Sequence, residues 1–86
     1  MAVRAGRREA FGPLVERYRG LIYQLCFRVT GSVHDAEELA HDAFVDAYVK
    51  LDQLRSPERF VPWLKAIALN LCRDWIPEHR PQFNAE

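Results

Sequence analysis

Asp35, Glu38, Asp42 and Asp46 recur at steps of three and four. On a helix turning about 100° per residue they fall within roughly one quadrant. Such a strip has three chemical uses. It can stay solvated, collect a divalent cation, or dock on a basic partner. A single helix face rarely supplies the wrapped oxygen shell that calcium takes, so no metal is expected. The solvated and docking readings both stay open on composition alone.

A second constellation lies downstream. Arg55, Arg59, Lys65 and Arg73 stand near Phe60, Trp63 and Asn70. Cations beside aromatics and an amide suit single-stranded nucleic acid, where charge tracks phosphates and amides read base edges. Phe60 and Trp63 also lie on an apolar stripe, which places them in the core rather than on a stacking surface. Catalysis finds no footing: there is no Gly-rich phosphate loop, nucleophile elbow or His-Glu metal motif. Cys26 and Cys72 fall on apolar stripes and are expected to pack as small hydrophobes. His34, His41 and His79 share no ligand spacing with them. No cofactor is expected.

These residues must be positioned by helices. With 86 residues, 49% of them hydrophobic, the chain is one small domain with material for one core. Net charge is zero but unevenly spread. Met1 to His34 carries six Arg against Glu9 and Glu16, whereas Asp35 to Asp52 carries six acids against Lys50. No apolar run approaches the ~18 residues of a membrane span and no secretory signal opens the chain, so the sequence reads as cytoplasmic.

Leu14, Val15, Tyr18, Leu21, Ile22, Leu25, Cys26 and Val29 predict a first helix. Pro13 suits its opening turn, with an earlier start and a bend there, or near Gly20, as the alternative. Gly31 predicts its end. Ser32 predicts an N-cap for a second helix, with Asp35 three places on. Ala36, Leu39, Ala40, Ala43, Phe44, Ala47, Tyr48 and Leu51 form that helix's buried stripe. Ser56-Pro57 signals a turn. A third helix is predicted to start near Phe60 and stop at Pro77, with Phe60, Trp63, Leu64, Ile67, Ala68, Leu71, Cys72 and Trp75 inward. The fold class is all-α, a compact three-helix bundle, or four helices if the first breaks. Residues 1–76 form the domain and 77–86 a tail or interdomain linker.

The segment "DAEELAHDAFVDAY", then "LR", then "F" and "WLKAIALN", resembles region two of the extracytoplasmic-function sigma factors of bacterial RNA polymerase. "LVERYRGLIYQLCFRVTG" is similar to that family's first helix. The resemblance covers about Phe11 to Trp75. It implies a non-catalytic domain that binds core RNA polymerase and recognises and melts the promoter minus-ten element. It implies that Asp35, Glu38, Leu39 and Asp42 dock on a coiled coil of the largest subunits, with Phe44 and Tyr48 holding the helix. It implies that Leu54, Arg55, Lys65 and Asn70 line or flank a site for a flipped base of the non-template strand. Lys50, Arg59 and Arg73 would contact phosphates. An anti-sigma factor is a further implied partner.

The departures are specific. His41 and Asp42 replace the usual Gln and Glu, and Leu54 a common Phe. Pro57 and Pro62 stiffen the loop, and Leu69 and Ile76 stand where basic residues are frequent. No segment resembles the family's second domain, which reads the minus-thirty-five element, as expected of an excised or truncated piece. The neutral charge keeps a second reading open: a sigma-like helical interaction module without independent DNA binding.

Overall fold

The computed structural model describes the backbone of residues 2–79 and the side chains of residues 9–76. Three α-helices follow one another: α1 (Ala2–Thr30), α2 (Val33–Val49) and α3 (Phe60–His79). Two short 3₁₀ turns, Leu51–Gln53 and Pro57–Arg59, join α2 to α3. Each helix packs against the other two. The expected all-α three-helix bundle is what forms.

Two boundaries differ from expectation. α1 begins at Ala2 and runs unbroken through Pro13 and Gly20, so there is no fourth helix. The residues before Pro13 are rich in Ala, Arg and Glu, which favour helix without any apolar stripe to announce it. α3 continues through Pro77 to His79. A proline removes one N–H and crowds the preceding turn, but a helix already held by tertiary packing can carry that cost near its end. Of the expected tail, residues 80–86 lie outside the described residues.

The α1–α2 junction is only Gly31 and Ser32. Gly31 has φ +67°, a left-handed conformation that side chains disfavour, and its N–H donates to the Phe27 carbonyl at 2.7 Å. Ser32 is then the N-cap of α2: its Oγ accepts the Asp35 N–H at 3.2 Å. The Thr30 hydroxyl braces the junction, accepting from the Ser32 N–H at 3.1 Å. Ser32→Ala should therefore lower unfolding free energy by about 1 kcal/mol in a urea titration, and Ser32→Asp should restore most of it. Equal stability of all three chains would show that the cap contributes nothing.

The core contains no buried polar or charged residue among those described. α2 presents Ala36, Ala43 and Ala47, all fully buried, so α1 and α3 approach closely. Leu64, Ile22, Cys26 and Cys72 are the largest fully enclosed side chains. Phe11 lies before the stripe that begins at Leu14, yet it is buried. It meets the Phe44, Tyr48 and Phe60 rings edge-on at 6.5, 5.2 and 6.3 Å. That cluster joins all three helices where the α2–α3 connection leaves the bundle.

Candidate functional site

The carboxylate strip survives folding but is not uniform. Glu38 and Asp42 are exposed, and Asp35 is half-buried at the helix start. His34 Nε2 lies 3.3 Å from Glu38 Oε2 at one end of the strip, and Lys50 Nζ lies 3.2 Å from Asp46 Oδ2 at the other. Asp42 stands between these two pairs. Leu39 does not join the surface. At 9% exposure it belongs to the core beside Ala36 and Ala43, which corrects its placement as a docking contact. The apolar surface of α2 comes instead from Val45, Tyr48 and Val49, exposed by 49, 43 and 68%. Val45 and Val49 are out of phase with the alanine stripe and were legible only as that irregularity. Tyr48, expected to hold the helix in the core, does so partly, through its edge contact with Phe11. A shallow apolar depression of about 360 Å³ runs among Phe11, Phe44, Val45, Tyr48 and Val49.

The second site forms where the connection meets α3. Gln53, Leu54, Arg55, Arg59, Pro62 and Trp63 line an open depression of about 570 Å³. The 3₁₀ turn at Pro57–Arg59 creates it. Ser56 is extended, Pro57 fixes the first turn, and the Arg59 N–H donates to the Ser56 carbonyl at 3.0 Å. Leu54 is only 6% exposed, so it is the floor of the depression rather than a reaching contact. Arg55 and Arg59 are exposed on the rim. Trp63 is half-buried, packed on the core and tilted against Phe60 at 6.1 Å, with its remaining surface in the depression. The expectation of a wholly internal Trp63 is therefore corrected. It closes the end of the stripe, where no neighbouring helix covers it fully. An apolar floor, an indole wall and two guanidinium groups can hold a flat heteroaromatic ring and its phosphate.

Glu58 lies beside this rim. Its carboxyl is pulled below the usual range by its own backbone N–H and then by the Ser56 hydroxyl. It is thus held as a carboxylate at the start of the turn.

Three other predicted contacts lie along α3. Asn70 and Arg73 are exposed and Lys65 half-buried. Asn70 follows Trp63 by seven residues, so the two share a helix edge about two turns apart. Leu69, expected buried beside Ala68, is 44% exposed. Lys65 stands about 160° around the helix from Trp63, at the opposite margin of the buried face. Lys50 is not among the residues lining the depression; its ammonium is engaged with Asp46. The fold thus gathers Leu54, Arg55 and Arg59 with Trp63, aligns Asn70 with them, and leaves Lys50 and Lys65 apart. Among the described residues no group of His, Cys, Asp or Glu could hold a metal ion, and no helix is long and apolar enough to cross a membrane.

A three-helix bundle with an acidic second helix and an arginine-rimmed loop ahead of the third is the architecture that the sequence resemblance implied. Residues 14–81 match the family model described as Sigma-70 region 2, and the chain belongs to that family. Its relatives include extracytoplasmic-function members. It is 42% identical over 81 residues to the ECF RNA polymerase sigma factor SigW of Bacillus subtilis (strain 168), covering 94% of this chain and 43% of that protein. It is 37% identical over 76 residues to the probable RNA polymerase sigma factor RfaY of Xanthomonas campestris pv. campestris, covering 88% and 19%. It is 34% identical over 74 residues to the ECF RNA polymerase sigma-E factor of Escherichia coli (strain K12), covering 86% and 38%. The chain spans less than half the length of each of these curated relatives.

Proposed function

We propose that this domain directs transcription initiation in the cytoplasm. It docks on core RNA polymerase through the exposed face of α2 and captures the non-template strand of the minus-ten element at the depression before α3. It is a binding domain, not a catalyst. The observation that carries the reading is the arginine-rimmed, tryptophan-walled depression on a family-typical helical frame. Turning a base out of the stack costs a few kcal/mol, which a pocket of this character offsets by stacking and by charge. Glu38 and Asp42 supply charge for a basic coiled coil, with Asp35 at the helix start. Val45, Tyr48 and Val49 supply the apolar area that Leu39 cannot. Residues 77–86 lead toward whatever follows the domain, and an anti-sigma factor would cover one or both surfaces.

Titration of labelled single strands, matched and mismatched to a minus-ten element, tests the depression. Asn70→Ala should reduce discrimination between the strands by about tenfold, since a well-made base-edge contact is worth ~1–3 kcal/mol. Arg59→Ala should weaken both strands alike and make the salt slope shallower by about 0.7, the single-strand value for one lost phosphate contact. Lys65→Ala should change that slope less, because Lys65 lies on the far edge of α3. If Asn70→Ala weakens both strands equally and also lowers the thermal midpoint, the asparagine is structural and its assignment to base reading fails.

A second reading, a helical interaction module without independent DNA binding, draws on the zero net charge and on the exposed Leu69 where basic residues are frequent. Binding to a polymerase coiled-coil fragment with no measurable affinity for any single strand would favour it.

A further inference from the structure

Cys26 of α1 and Cys72 of α3 are far apart in sequence but meet in the core. Both are free, at 0% and 1% exposure, and both belong to the same apolar cluster. Their thiols are hydrogen-bonded, with the Cys26 S–H donating to the Cys72 sulfur. These are the chain's two cysteines, so one intramolecular pairing is available. We propose that Cys26 and Cys72 are a redox pair that forms a disulfide across the core and staples α1 to α3. This inference is independent of the proposed function.

The chemistry follows from the asymmetry of the pair. Burial, and then the adjacent Cys72 sulfur, push the Cys26 thiol up to about 12. Burial also raises Cys72, but the hydrogen bond from Cys26 opposes that rise. Cys72 is therefore the first sulfur to ionise and the nucleophile. Its thiolate attacks a hydroperoxide; the O–O bond breaks, and Cys72 becomes a sulfenic acid as the leaving oxygen departs as an alkoxide or hydroxide and takes up a proton. The Cys26 sulfur then attacks the sulfenic sulfur, the S–O bond breaks, and water leaves with the Cys26 proton. Two thiols and one hydroperoxide give one disulfide, one alcohol (or water) and one water. Because both sulfurs are enclosed, the rate is set by local opening of α1 from α3. Once formed, the bond closes a long loop and restricts the unfolded chain.

The test uses the purified chain treated with hydrogen peroxide, quenched in acid, denatured and alkylated. The expected product is a monomer that has lost two hydrogens and takes up no alkyl group. Its thermal midpoint should rise by about 10 °C, as closure of a loop of this length implies for a domain of this size. Dithiothreitol should return both alkylations and the original midpoint. Cys26→Ser should form no such monomer, only a sulfenic acid on Cys72 or a linked dimer. The proposal is overturned if both thiols of the wild-type chain still alkylate, if oxidation yields only dimers or higher sulfur acids, or if the oxidised monomer melts no higher than the reduced one.

Discussion

Reversing Glu38 and Asp42 together to arginine is expected to leave α2 folded and to abolish its docking on a polymerase coiled coil. Both residues are exposed, and the one ion pair lost, Glu38 with His34, joins side chains 65% and 79% exposed. Such pairs contribute about 0–1 kcal/mol, so the urea midpoint should move little. Docking is another matter. Two acids become two bases facing a basic partner, and like charges brought together across an interface cost several kcal/mol, more than about 100-fold in affinity. The wild-type interaction should also weaken with salt, because these charges lie in solvent until they dock. Val45→Ala with Val49→Ala should reduce affinity with little change in salt dependence, since that pair supplies area rather than charge. A folded double-arginine variant that binds the coiled coil as the wild type does would make the strip a solvated face and nothing more.

The second large effect separates two neighbours on α3. Leu64 is fully buried, and Leu64→Ala should cost about 2–5 kcal/mol through lost burial and the cavity left behind. For a small domain stable by about 5–15 kcal/mol, that is a large share. Trp63 is half-buried, so Trp63→Ala should cost less, about 1–3 kcal/mol, in proportion to the area it covers. Strand binding should reverse the order. Removing the indole wall should lower affinity tenfold or more, since stacking on one aromatic is worth ~1–3 kcal/mol. Leu64→Ala should bind normally whenever it is folded. Equilibrium unfolding and strand titration on the same samples give both rankings. A folded Trp63→Ala chain with unchanged affinity would return Trp63 to a purely internal role and empty the depression of its function.

The elements themselves were legible because their signals are local. Ser32 caps α2 through the Asp35 N–H three residues on, and Gly31 ends α1 with a left-handed backbone. The alanine stripe of α2 goes inward as its spacing requires. The positions of Asp35, Glu38 and Asp42 on one side of α2 are helix phase and nothing more. Prolines misled where local cost was read without context: α1 passes through Pro13 and α3 through Pro77, because helices packed on neighbours tolerate a lost hydrogen bond.

What the sequence alone determined, then, is three amphipathic helices, their caps, the acidic side of the second and the family they belong to. Tertiary structure decided which residues at the margins of each stripe are covered. Periodicity gives the direction of a side chain but not the distance to the neighbouring element. So Leu39 and Leu54 were assigned to surfaces and are enclosed, whereas Trp63 was assigned to the core and is half open. Tertiary structure also decided every relation between distant positions. Arg55 and Arg59 join Trp63 around one depression because a 3₁₀ turn folds the connection back on α3. Cys26 and Cys72 share a hydrogen bond because α1 and α3 pack in one register. Such contacts depend on how rigid helices rotate and slide against one another, and that is settled by the packing of the whole core rather than by any segment within it.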